Sequence, residues 1–342
     1  MLERPLPLTT RRMVAVKLLP GLTAMLCLGA SRPVQAQALP VVNFADFYSS
    51  ADLVSWNAAA HAKDLGVEMR MTAFSGGGAD MLTSLAAGSS TFADLALPYI
   101  MRAMDAGIEL KVLMGTSHKG TVIAALKNIA TIADRKGKTI GGVPGSPPYM
   151  SGIYAIRAAG LDPAKDVTVI NIGFAAQGHA LQAGQVDAVM TVPEVVSTPI
   201  QSGVAHVIYS PVAGDPVGQN NSALVVRADY VGQHPDIVQK VVDANYRSLV
   251  MLEKMRQEDP AALVTLATTL LAGGGVQRST MQIAIPLVEY RPSLSLTELQ
   301  RYAGIVHQFG ITKRDVGDLW PKYLDFSFLA KAAGTPAAAL LK

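Results

Sequence analysis

From residue 39 onward, short runs of aliphatic and β-branched residues trade places with longer runs whose apolar positions recur every three or four residues. The short runs predict strands over 41–45, 67–72, 92–97, 110–115 and 121–126. A second series follows at 138–143, 167–172 and 186–191, and two last strands at 204–209 and 222–227. Helices are expected over 49–65, with Leu53, Trp56, Ala60 and Leu65 near one face, then in a run ending at Gly88, a run ending at Ala159, and over 176–183 and 194–202. Beyond Asp229 the pattern reads as helix alone, over 235–257, 260–271, 279–288 and 295–309. The stretch GDLWPKYLDFSFL and the tail AAGTPAAALLK close the chain.

Strands alternating with helices in this way predict an α/β architecture with mostly parallel sheets. Two βα blocks, a return and a helical annex predict two lobes joined by two crossovers, placed near 126–131 and 208–215. The first lobe is then discontinuous, 39–126 plus 209–342, and carries the C-terminal helices. The second lobe is 127–208, and a cleft lies between the two.

The first 38 residues stand apart from this pattern. Arg4, Arg11, Arg12 and Lys17 form a basic segment, 18–30 an apolar one, and Val34-Gln35-Ala36-Gln37-Ala38 offers small residues for cleavage after Ala38. The apolar run is shorter than the roughly 20 residues of a membrane span and contains Pro20 and Gly21, so release into the periplasm is expected rather than anchoring. Thr10-Arg11-Arg12-Met13-Val14 faintly resembles a twin-arginine signal, which leaves the export route open. Cys27 follows Leu26, where a lipoprotein signal would want a small residue.

Removal of this leader changes the charge and the redox chemistry. The chain has 29 basic and 26 acidic side chains; the leader holds five of the basic and one of the acidic, which leaves a net charge of −1. Nothing then points to a nucleic-acid or other polyanion surface. The single cysteine is also lost, and with it any disulfide, thiol nucleophile or thiolate metal site.

In open α/β sheets ligands sit beyond the carboxyl ends of strands, so the turns at those ends carry the candidate chemistry. In GGVPGSPPYMSGIYAIRAAG, Ser146 suits a helix N-cap, Pro147 the first helical position and Gly160 the stop. Pro148 pushes Pro147 away from helical geometry, which moves the expected helix start one residue on. Such a helix N-terminus presents N–H groups and partial positive charge. Pro147 and Pro148 have no N–H, which leaves the amides of Tyr149 and Met150 and the hydroxyls of Ser146 and Tyr149. An ordinary capped helix accounts for the same residues without a ligand. A second turn of this sort is Phe74-Ser75-Gly76-Gly77-Gly78-Ala79-Asp80, which is neither a P-loop nor a GxGxxG fingerprint, so nucleotide binding is disfavoured. Further strand ends carry Asp46, Phe47 and Tyr48; Pro98 and Tyr99; Ser117 within TSHK; Gln177; and Glu194. Together they make a ring of aromatic and polar groups of the kind that lines small-molecule pockets. The six histidines show no metal spacing, and neither GxSxG nor an acid–base carboxylate pair stands out.

The segments TAFSGGGADMLTSLAAGSSTFADLAL, LKVLMGTSHKGTVIAALK, IADRKGKTIGGVPGSPPYMSGIYAIRAAGLDPAKDVTVI and ALQAGQVDAVMTVPE resemble periplasmic substrate-binding proteins of nitrate-, sulfonate- and taurine-type ABC importers, a class that takes in NMT1/THI5-like sequences. The resemblance implies a two-lobed type II periplasmic binding fold that holds a small molecule between closing lobes and delivers it to a permease in the inner membrane. It further implies that the turns matching Ser75–Gly78 and 145–149 contact the ligand's anionic or polar end, with Glu194 in the cleft. No arginine lies in these turns. The expected ligand is a small aromatic or heterocyclic molecule with one carboxylate or sulfonate, and Glu194 and Asp46 are alternatives that would receive an amine or ring N–H. The protein is expected to be a monomer that is not an enzyme and holds no cofactor or metal. Two further readings are an enzyme on the same fold, acting on a pyrimidine-like or aromatic substrate, and a ligand sensor for a membrane receptor.

Overall fold

The computed structural model describes residues 38–212, 215–218 and 221–341; residues 1–37, and with them the expected leader, lie outside the described residues. The strands are β1 (Val41–Asp46), β2 (Glu68–Ala73), β3 (Phe92–Ala96), β4 (Leu110–Lys119), β5 (Val122–Leu126), β6 (Thr139–Gly142), β7 (Thr168–Asn171), β8 (Ala188–Thr191), β9 (Ala205–Tyr209), β10 (Ser222–Arg227) and β11 (Val288–Tyr290). They form a six-stranded sheet in the order β11-β4-β10-β3-β1-β2 and a five-stranded sheet in the order β7-β6-β8-β5-β9. Within the first, β1, β2 and β3 run parallel, and β10 lies antiparallel between β3 and β4. In the second, β6, β7 and β8 run parallel, and β5 lies antiparallel to β8 and β9.

The helices fill the intervals: α1 (Leu53–His61), α2 (Gly78–Ala86), α3 (Leu97–Asp105), α4 (Pro147–Ala158), α5 (Phe174–Gln182), α6 (Pro193–Gln201), α7 (Ala228–Gln233), α8 (Pro235–Glu258), α9 (Pro260–Leu270), α10 (Arg278–Ala284) and α11 (Leu296–Gln308). One apolar core joins the six-stranded sheet to the C-terminal helices, with Phe44, Leu224, Leu252 and Trp320 all fully buried. Two smaller cores lie on opposite faces of the five-stranded sheet. Along β5, Ile123 and Ala125 face one, and Val122 and Ala124 the other. A strand apolar at every position is what a sheet covered on both faces requires.

Three departures from the sequence reading bear on the site. Val122–Leu126, expected in the first lobe, pairs with β8 and β9, so the chain passes between the sheets at Gly120–Thr121 rather than near 126–131. Lys119 (φ 61°) and Gly120 (φ 77°) break an otherwise continuous extended run there, a bend that the hydrophobic pattern does not register. The helix α3 lies where the sequence suggested no element, because its apolar residues continue those of β3 and only Pro98 marks the change. The edge strand β11 begins at the last residue of the helix expected over 279–288 and is held by pairing with β4, a partner far away in sequence.

Candidate functional site

Both sheets turn their carboxyl ends toward one another. From the first come Asp46 at the end of β1, the turn into α2, and Tyr99 in the first turn of α3. From the second come Ser146–Pro148 after β6, Phe174 after β7 and Val192 after β8. Between them lies a cavity of about 70 Å³, walled by Phe47, Ser49, Asp52, Gly77, Gly78, Met81, Asp94, Tyr99, Asn221 and Ser222 on one side and by Ser146, Pro147, Pro148, Phe174 and Val192 on the other, with Thr121 at the crossing. Its lining includes two aspartates and no lysine, arginine or histidine.

The two aspartates belong to a group of four carboxylates, of which Asp46, Asp52 and Asp94 are buried and Glu194 is half-buried. Asp94 accepts hydrogen bonds from Thr116 Oγ1 (2.7 Å) and Ser55 Oγ (3.4 Å), and Thr116 and Ser117 share Ser222 Oγ in turn. Asp52 accepts from Ser49 Oγ. Asp46 Oδ1 accepts from Phe47 N–H at 2.8 Å, while Oδ2 is buried with no partner. Glu194 Oε1 accepts from Ser50 N–H at 2.7 Å, and its Oε2 is likewise buried and unpartnered. None of the four stands in an ion pair among the described residues. Burial of ionised carboxylates without a counter-charge is costly, so such groups hold their protons more tightly. Asp94 is pushed up from 3.8 to about 6 by burial, which outweighs its hydroxyl donors. Asp46 is raised well above the ordinary range by burial and by the charges of Asp52 and Asp94, Asp52 by burial and by the charges of Asp94 and Glu194, and Glu194 is raised by burial.

A second, larger cavity of about 380 Å³ adjoins the first and is also walled from both halves, by Tyr48, Ser75 and residues 274–277 on one side and by Glu194, Thr198 and Gln201 on the other. Phe47 and Phe174 line both cavities. These rings come from opposite halves and meet at 6.0 Å between centroids, tilted by 47°, where the two spaces adjoin. Other contacts across the cleft are the Glu194–Ser50 hydrogen bond, Thr280 Oγ1 to Ser197 Oγ at 3.0 Å, and Arg157 over the Phe309 ring at 4.4 Å. Tyr290 Oη donates to Ser50 O at 2.8 Å and so steadies the residue that Glu194 grips. Among the described residues no group of three His, Cys, Asp or Glu is placed to hold a metal ion, and no helix is long and apolar enough to cross a membrane.

The pattern of the NMT1/THI5 like family matches residues 63–255, more than half of the sequence. The chain belongs to that family. No curated protein matches it. Among solved structures it is similar to the alkanesulfonate-binding protein SsuA from Xanthomonas axonopodis pv. citri bound to MOPS, at 19% identity and a TM-score of 0.68, covering 83% of this chain and 98% of that one. It is also similar to the periplasmic nitrate-binding protein NrtA from Synechocystis PCC 6803, at 12% identity and a TM-score of 0.71, covering 88% and 91%. The desulfurization enzyme DSZB is similar at 15% identity and a TM-score of 0.65, covering 86% and 99%. At these identities the likeness is one of fold, and the fold of this family member is the two-lobed one of periplasmic binding proteins. Two of these three neighbours are binding proteins and one is an enzyme.

The sequence-predicted residues divide into three groups. Phe47, Gly77, Gly78, Tyr99, Ser146 and Pro147 line the inner cavity; Phe47, Tyr48, Ser75 and Glu194 line the outer one. The others line neither. Asp46 lies in the buried carboxylate group, Ser117 is bonded to Ser222, and Pro98 and Met150 are packed in the core. Gln177 is buried with Nε2 bonded to Ile172 O, Tyr149 packs beside Gly142, and Gly76 lies against the Asp80 carboxylate. The amides of Tyr149 and Met150, expected as donors to an anion, are directed to Ser146 Oγ (3.4 Å) and Ser146 O (3.0 Å), and α4 begins at Pro147 itself. Sequence reasoning passed over Asp52, Asp94, Phe174, Asn221 and Ser222. For Asp94 a signal existed: an acidic residue inside the apolar strand TFADLAL is rare unless it serves a site.

Proposed function

We propose that this protein is the solute-binding component of an ABC importer, acting in the periplasm, and that its ligand is a compact nitrogen base held between the lobes. The lobes are taken as 39–119 plus 222–341 and as 122–209, with 120–121 and 210–221 as the connections. The observation that carries the ligand reading is the inner cavity: walled from both halves, it offers the carboxylates of Asp52 and Asp94 and no basic side chain. An alkanesulfonate or nitrate would meet two carboxyl groups there, and the expected carboxylate or sulfonate group finds no cation to receive it. A protonated amine, amidine or guanidine supplies the missing counter-charge and N–H donors. At roughly 10–15 Å³ per water-sized position, a cavity of about 70 Å³ admits on the order of five non-hydrogen atoms. Tyr99, Phe47 and Phe174 present ring surfaces suited to a cation.

Capture then follows from closure. Asp52 and Asp94 sit on one lobe, Ser146 and Phe174 on the other, so a guest makes its full set of contacts only in the closed form and shifts the equilibrium toward it by that difference. A thermal-shift screen of acetamidine, methylguanidine and methylammonium against methanesulfonate, nitrate and benzoate tests the reading. The bases are expected to stabilise, by about 2.7 kcal/mol at a hundred times the dissociation constant. Stabilisation by the anions alone would overturn the ligand class. The fold shared with the desulfurization enzyme leaves one competing reading, in which Asp94 serves as a general acid, and turnover of a bound compound would favour it.

A further inference from the structure

We infer that the outer cavity is the second half of one elongated binding site, and that the ligand carries a nitrogen donor at each end, one answered by Asp52 and Asp94 and the other by Glu194. The inference rests on the reading of the inner cavity given above and extends it.

Four observations lead to it. The inner space of about 70 Å³ is too small for more than a head group, while the adjoining space of about 380 Å³ would hold a far larger body. Phe47 and Phe174 are the two residues that line both spaces, and their rings meet at 6.0 Å between centroids. Because each ring belongs to a different lobe, their spacing is set by the lobe angle, and a small change in closure separates them enough to pass a slender chain. Glu194 lines the outer cavity with Oε1 already taken by Ser50 N–H and Oε2 buried without a partner. A buried carboxylate oxygen with no donor is costly to leave so, and a ligand N–H or ammonium placed against it removes that cost. Around it Thr198, Gln201 and Gln277 offer further polar groups but no cation that would compete for Glu194. Two acidic ends joined through an aromatic constriction match an α,ω-diamine or a related dibasic molecule better than a monobasic one.

The test is a titration series by calorimetry on the purified protein, with n-alkylamines and α,ω-diaminoalkanes of three to eight carbons as probes. The diamine is expected to bind at least tenfold tighter than the monoamine of equal length, with a maximum at one chain length, because two fixed charges set one span. In Glu194→Gln the diamine-to-monoamine ratio should fall to about one. A ratio near one in the wild type at every length, or a ratio unchanged by Glu194→Gln, overturns the inference while monoamine binding still supports the inner-cavity reading. Binding of neither series overturns both. Should Glu194→Gln fail to fold, the wild-type series decides: an affinity maximum supports the inference, and a steady rise with each methylene overturns it.

Discussion

The candidate site depends on single atoms as much as on the fold. Gly78 shows this: a Cβ built there would lie 2.2 Å from Tyr99 Cδ2, so the Tyr99 ring can rest against the start of α2 only because residue 78 has no side chain. The ring is 3% exposed and boxed in on its core side, and the cavity is the space left for it to move into. Gly78→Ala is therefore expected to lower stability by about 1–3 kcal/mol through overpacking and to weaken base binding at least tenfold as the ring enters the cavity. Urea denaturation and calorimetry measure the two effects. Full stability with wild-type affinity would show that Tyr99 does not shape the cavity. At the same scale the choice between anion and cation rests on two side chains, Asp52 and Asp94, and on the absence of any basic residue beside them.

At the scale of elements, what the sequence made legible was what local periodicity encodes. The βα alternation through β8 and α6, apart from α3, the capped start of α4 at Ser146, and the long helix α8 follow from patterns within a few residues of each element. What stayed hidden depends on distant partners. The edge strand β11 exists through pairing with β4, and β5 reads the same whichever sheet it joins. From the turns singled out in the sequence, Phe47, Gly77, Gly78, Tyr99, Ser146 and Pro147 line the inner cavity. Sequence reasoning misjudged what those turns present. Backbone amides looked available at Tyr149 and Met150, yet capping consumes both, and the charged groups that do face the cavity lie within β3 and in the 3₁₀ turn before α1. Asp52 in SSAD reads equally well as a helix-capping residue, so its direction could be found only from the packed structure.

For the whole molecule, the four carboxylates at the cleft contribute to the pH behaviour. A carboxyl whose folded pKa is raised binds its proton more tightly in the folded state, so its contribution to stability is full below the unfolded value and declines as pH rises toward the folded one. For Asp94, moved from 3.8 to about 6, that window lies between about pH 4 and 6, and the loss above it amounts to roughly 3 kcal/mol. Asp46, Asp52 and Glu194 act in the same sense. Exposed carboxylates such as Asp162, lowered by the N–H of Ala164, act in the opposite sense, so the informative quantity is the difference between wild type and Asp94→Asn. That variant is expected to match the wild type near pH 4 and to exceed it at pH 7.5 by urea denaturation. A variant less stable at pH 7.5 would mean that the ionised Asp94 is favourably partnered after all.

On the proposed ligand reading the same carboxylates make binding a proton exchange, since a cation entering the cleft takes the place that a proton held. Calorimetry of methylguanidinium binding, in buffers of different ionisation enthalpy and over pH 5 to 7.5, tests this most directly. The account predicts net proton release and an affinity that falls about tenfold from pH 7.5 to pH 5, as a carboxyl of pKa near 6 regains its proton. Methanesulfonate should give no heat of binding under the same conditions. Tight binding of methanesulfonate, or base binding that neither releases protons nor varies with pH, would contradict it.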